Sequence, residues 1–168
     1  MKYLAVILLL TTLAGCSNAV PELHQYLLRA DNAALVIASY IDGPGLILET
    51  GNGQVNSARD HQWAEPLRES LRIFLARQIA VAAAQPVAAQ PFKHSDWEQR
   101  IDIRIDQLHG KSDGSAVLVA YWQVSTKQGL VDHEFMDSEP LSADGYAALV
   151  KAEKVLLERL CGVIAAGL

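Results

Sequence analysis

Thiols, imidazoles and clustered carboxylates are the side chains from which this chain of 168 residues could build chemistry. It holds two cysteines, Cys16 and Cys161, and five histidines: His24, His61, His94, His109 and His133. Two histidines one helical turn apart, with a glutamate beside them, would suit zinc. No pair here has that i,i+4 spacing, and no Cys/His array suggests a metal site. Asp60-His61 and Asp132-His133-Glu134 set carboxylates next to imidazoles. Neighbours on a strand point to opposite faces, so neither run predicts an acid holding a base. No Gly-x-Ser-x-Gly elbow is present, and Gly43, Gly45, Gly51 and Gly53 read as turn residues rather than a phosphate cradle. The residues therefore predict no catalytic set, no metal and no cofactor.

Cys16 is different, because its chemistry is set by what precedes it. Lys2 supplies a positive start, and 4–13 is aliphatic apart from Thr11 and Thr12. A run of about ten apolar residues is half of the roughly twenty that span a hydrocarbon core; it fits the apolar region of an export signal. Leu13-Ala14-Gly15-Cys16 resembles the lipobox of bacterial lipoproteins. The small Ala14 and Gly15 let a peptidase close around the backbone, while the Cys16 sulfur takes a diacylglycerol. The resemblance implies a signal peptide at 1–15, a lipidated tether at 16–23 and a folded domain at 24–168. One acyl chain binds a bilayer only marginally, so the two or three palmitate-type chains of a mature lipoprotein are what make such an anchor stable. Ser17, rather than aspartate, follows the cysteine. By the sorting rule of bacterial lipoproteins this implies the outer membrane, with the domain on the periplasmic face. The seven residues after Cys16, 17–23, reach at most about 25 Å, which keeps the domain close to its membrane.

Removing residues 1–15 leaves 153, enough for one domain with its own core. Loss of Lys2 takes the formal charge from −5 to −6. A mildly acidic domain without a Lys/Arg cluster argues against nucleic acid as a partner. A lipidated Cys16 cannot pair, so no intrachain disulfide is expected even in an oxidising compartment. Cys161, between Leu160 and Val163 in an apolar helical stretch, reads as a buried small hydrophobe.

The elements that would carry these residues follow from periodicity. Strands are expected at 24–29, 34–41, 46–50 and 54–57, with a break at Asp42-Gly43-Pro44-Gly45 and a tight hairpin at Asn52-Gly53. A helix follows at 62–84, with Asp60 as N-cap, Pro66 in its first turn and a stripe of Leu67, Leu71, Phe74, Leu75 and Ile79. Residues 85–92, with two prolines, read as a loop. The strand at 99–108 alternates, with Ile101, Ile103 and Ile105 on one face and Asp102, Arg104 and Asp106 on the other. A central strand at 116–126 and another at 131–136 follow. The last helix is expected at 143–166, capped by Ser142. Tyr146, Leu149, Val150, Leu156, Leu157, Leu160 and Ile164 form its core stripe, and Lys151, Glu153, Lys154, Glu158 and Arg159 its wet side. This order predicts an α+β fold: a single antiparallel or mixed β-sheet with two α-helices packed on one face.

The stretch 40–67, with its Asp-Gly-Pro-Gly turn, hairpin and Trp63-Ala64-Glu65-Pro66-Leu67 helix start, resembles the PqiC-like family of ABC-type transport auxiliary lipoproteins. The strand ending Tyr121-Trp122-Gln123-Val124 and the helix through Tyr146-Ala147-Ala148-Leu149 are similar to it as well. The resemblance implies a non-enzymatic role: an outer-membrane docking component for a periplasmic mammalian-cell-entry (MCE) domain protein in intermembrane lipid transport, with self-association compatible with that role. Trp63 and Trp97 are candidate contacts with such a partner, since a tryptophan left exposed is a good interface anchor; Trp63 has an ordinary packing role at a helix start as its alternative. The competing functions are a lipid carrier with its own acyl-binding cavity and a periplasmic enzyme.

Overall fold

In a computed structural model the described residues are 35–89 and 99–168. They fall within one folding unit, Asn32–Leu168. Six strands and two helices follow in the order β1 (Leu35–Ile37), β2 (Gly45–Gly51), β3 (Gln54–Gln62), α1 (Leu67–Ala83), β4 (Gln99–Gly110), β5 (Ser115–Thr126), β6 (Gly129–Pro140) and α2 (Tyr146–Ala166). The strands make one mixed sheet, ordered β3-β2-β4-β5-β6, with β1 pairing in parallel with β4. β1 and β2 share one side of β4: β1 lies along Ile103–Ile105, and β2 meets it at Gly110. The expected α+β architecture is present.

β5 shows why the helices choose one face. Ala116, Leu118, Ala120, Trp122 and Val124 alternate along it and are all buried, while Tyr121 and Gln123 between them are only half-covered. Leu149, Leu156, Leu157, Leu160 and Ile164 of α2 and Leu67, Leu71, Leu75 and Ile79 of α1 complete the core on that inner side. In β4 the inward set is Ile103, Ile105 and Leu108. Ile105 and Leu108 are three apart and would face opposite ways in a regular strand. A bulge opposite Ala120 and Val119 absorbs the extra residue and restores the phase.

Several boundaries differ from the sequence reading. The strand expected at 34–41 stops at Ile37, where the chain turns and the Ile41 N–H donates to Ala38 O at 3.1 Å. β3 runs to Gln62 instead of Ser57, so Asp60 lies in a strand and caps nothing. Proline disfavours helical backbone at Glu65 before it, and the helix begins at Leu67. Pro66 is itself extended, with ψ 120, and its carbonyl accepts from Glu69 and Ser70. α2 begins at Tyr146, not 143: Gly145, at φ 99, ends the preceding loop, and Ser142 makes no cap. β6 is twice its expected length. The Asn52-Gly53 hairpin is as expected, both residues having positive φ as a primed turn requires. The strand expected at 24–29 lies outside the described residues.

Candidate functional site

Among the described residues the sheet has one covered and one open face, and the open face carries the Arg100, Asp102, Arg104, Asp106, Tyr121, Gln123, Asp132 and Glu134 side chains. Along β4, Arg100 pairs with Asp102 at 2.8 Å and Arg104 with Asp106 at 2.9 Å. Partners i,i+2 on a strand lie on the same side, so these acids and bases neutralise each other along one ridge. The Arg104 guanidinium lies 4.9 Å from the centre of the Tyr121 ring, its neighbour across the ladder. Gln123 donates to Asp132 at 2.7 Å on β6. This is a solvated, self-paired face with one aromatic ring in its middle.

One end of that face is closed. His109 follows the bulge on the outer side and is only 5% exposed. Its Nδ1–H donates to Gly110 O at 3.0 Å, and the Tyr40 ring meets it edge-on at 6.0 Å. The Tyr40 hydroxyl donates to Asp106 O at 3.2 Å. Burial, together with the carboxylates of Asp106 and Glu49, pushes that phenol up to about 12, so it remains a hydrogen-bond donor.

The described histidines are dispersed. His61 stacks on Tyr146 at 4.2 Å and His133 on Trp122 at 4.9 Å, each as a packing ring at a different place in the sheet. Asp132 and Glu134 lie on the face opposite His133, as strand alternation requires. Among the described residues no group of three or more His, Cys, Asp or Glu could hold a metal.

Of the candidate contacts, Trp63 does not open a helix. It sits in the link between β3 and α1, half-buried against the core, with its N–H donating to Pro44 O at 2.7 Å. Its ring is a packing element. Trp97, Cys16, His24 and His94 lie outside the described residues. Tyr121 and Trp122 take opposite faces: Trp122 is buried under the helices and Tyr121 stands on the open side. Cys161 is buried, its thiol 4.0 Å from Leu75 O on α1, and desolvation, with Glu158 nearby, pushes it up to about 12. A thiol so placed is not a nucleophile at neutral pH.

Glu153 corrects the expected wet side of the last helix. It is 2% exposed, within the stripe that includes Leu149 and Leu157, and its Oε2 has no hydrogen-bond partner. Desolvation alone pushes its carboxyl up to about 8.

This fold has counterparts among known proteins. The model of the family described as "ABC-type transport auxiliary lipoprotein component" matches residues 33–165. The chain belongs to that family. It is 22% identical to the "Intermembrane transport lipoprotein PqiC" of Escherichia coli strain K12, over 90% of this chain and 89% of that protein. The Shigella flexneri protein of the same name matches equally. A crystal structure of an uncharacterised protein superposes with TM-score 0.74 at 24% identity, covering 79% of this chain and 86% of the other. A second, from Xanthomonas campestris, gives 0.65 at 16%, covering 79% and 78%. At these identities both structures establish the fold alone. The family is one of transport auxiliary lipoproteins of the PqiC type. No helix among the described residues is long and apolar enough to cross a membrane.

Proposed function

We propose that acyl chains on Cys16 anchor this protein to the periplasmic face of the outer membrane, where it docks a periplasmic MCE-domain protein and so serves intermembrane lipid transport. The observation that carries the reading is the family match over 33–165, joined to a lipobox-like tetrad ending at Cys16. The relatives' own name, intermembrane transport lipoprotein, fits it. Helices packed on one side only leave the other side free for a partner, and the described histidines serve packing rather than catalysis.

A lipid carrier would need an enclosed apolar space. A groove of about 490 Å³ between α1 and the loop after it is lined by Ile73, Ala80, Val81 and Val87 and is open to solvent. An acyl chain there would stay largely wet, which favours docking over carriage.

Crosslinking in intact cells, followed by identification of the partner, tests the reading. Recovery of an MCE-domain protein is the expected result. A hydrolytic activity with no such partner would replace docking by an enzyme, and roughly stoichiometric lipid copurifying with the Cys16→Ser protein would replace it by a carrier.

A further inference from the structure

β6 is an edge strand whose guard is electrostatic, the acids Asp132, Glu134, Asp137 and Glu139. Among the described residues it pairs with β5 alone, through an unbroken register from Gly129 to Pro140. Natural edges are commonly blunted by charged side chains, lysine above all, or by bulges, an interior proline or shortness. β6 has twelve residues, no lysine, no bulge, and proline only at its last position.

Which backbone groups are free follows from the turn. Thr126 and Gly129 flank the two-residue turn Lys127-Gln128 and form a hydrogen-bonded pair, and such pairs alternate along an antiparallel ladder. The N–H and C=O groups of Leu130, Asp132, Glu134, Met136 and Ser138 therefore point away from β5. The same five residues carry their side chains on the open face of the sheet. Leu130 and Met136 are 65% and 75% exposed. Between them stand the two acids, Asp132 and Glu134.

We propose that this edge takes an extended segment of a partner protein as an added strand, and that the segment reads apolar-x-basic-x-basic-x-apolar. Strand addition draws affinity from main-chain hydrogen bonds and specificity from alternate side chains. Opposite charges facing across a ladder stabilise it and like charges destabilise it. Lysine or arginine belongs opposite Asp132 and Glu134, and aliphatic residues opposite Leu130 and Met136. A second copy of β6 fits poorly, because antiparallel self-pairing would set these acids, and Asp137 and Glu139 on the other face, against one another.

The proposal deepens the docking role and rests on it for its biology. Its test is read on the purified lipoprotein, so either can fail without the other. The probe is the peptide Leu-Thr-Lys-Thr-Lys-Thr-Leu, added to the full-length protein in detergent, with amide hydrogen exchange followed residue by residue. The expected result is exchange slowed at least about tenfold at Leu130, Asp132, Glu134 and Met136, with the β5-bonded amides of Val131, His133 and Phe135 unchanged. Met136→Pro removes one outward N–H that β5 does not use and should abolish the effect. Asp132→Lys with Glu134→Lys, which leaves the backbone intact, should transfer it to a peptide with glutamates in place of the lysines. No protection, or equal protection by both peptides on the native protein, would overturn the proposal. So would concentration-dependent protection of these amides without peptide, which would make a second copy the occupant.

Discussion

Glu153 sits where its charge argues against it and its spacing argues for it. It lies one turn from both Leu149 and Leu157, and the backbone carries it into the core whatever its side chain prefers. The folded protein therefore holds its proton far more tightly than the unfolded chain, which releases it near the ordinary 4.5. Between that value and about 8 the folded state binds one proton more than the unfolded, so stability falls as pH rises through this window. At about 1.4 kcal/mol per unit the full loss is on the order of 4–5 kcal/mol. Denaturant unfolding at pH 5 and pH 8 should show the decline, and Glu153→Gln should flatten it while raising stability at pH 8. A second expectation concerns the thiols. In Cys16→Ser only Cys161 remains, so a thiol reagent should titrate almost nothing in the folded protein and one group in denaturant. Cys161 was legible from its apolar neighbours. Glu153 is not, because residue type alone places a glutamate on the wet side. Trp63 shows the reverse: a large ring after a polar stretch can suit a partner, and here packing took it.

Among the elements, those with a buried stripe were readable and those without were not. The stripe of α1 was found residue by residue, since Leu67, Leu71, Leu75 and Ile79 repeat at one helical turn. β3 was cut short because Gln54–Gln62 is an edge strand, exposed along nearly its whole length, and so carries no alternation to read. β6 extends beyond Met136 because its half-covered positions there are Asp137 and Glu139, acids that carry no apolar alternation to read. β3 is held by its antiparallel ladder to β2, and Gly45 lets the two backbones come close. A Cβ added at Gly45 would stand 2.3 Å from Ala58 O, and backbone cannot yield as a side-chain tip can. Gly45→Ala should therefore destabilise the protein by about 1–3 kcal/mol, as overpacking does, with faster amide exchange concentrated in β3. At the other edge, Arg159 of α2 reaches Asp137 at 2.9 Å and Glu139 at 2.5 Å on β6. These exposed pairs fix position more than they stabilise. Arg159→Ala should leave a small drop in Tm that vanishes in high salt, while β6 exchanges faster.

For the molecule as a whole, the folding unit Asn32–Leu168 and the family match over 33–165 both begin well after Cys16, so anchoring and folding are expected to be separable. Cys16→Ser should give a domain found in the soluble periplasmic fraction, with the thermal transition of the native protein and no support of transport. A lowered transition would make the lipid part of the fold. The order of elements, read from the sequence, led to this architecture, but pairing did not: no periodicity shows that two short strands share one side of β4. That sharing has a consequence for traffic across the surface. The chain that crosses from β1 to β2 raises Tyr40 over His109 like a kerb along one margin of the bare side. A segment added along β6 would lie on the opposite side of the sheet, beside Met136 and Leu130, with β5 between it and the strand that Tyr40 bonds.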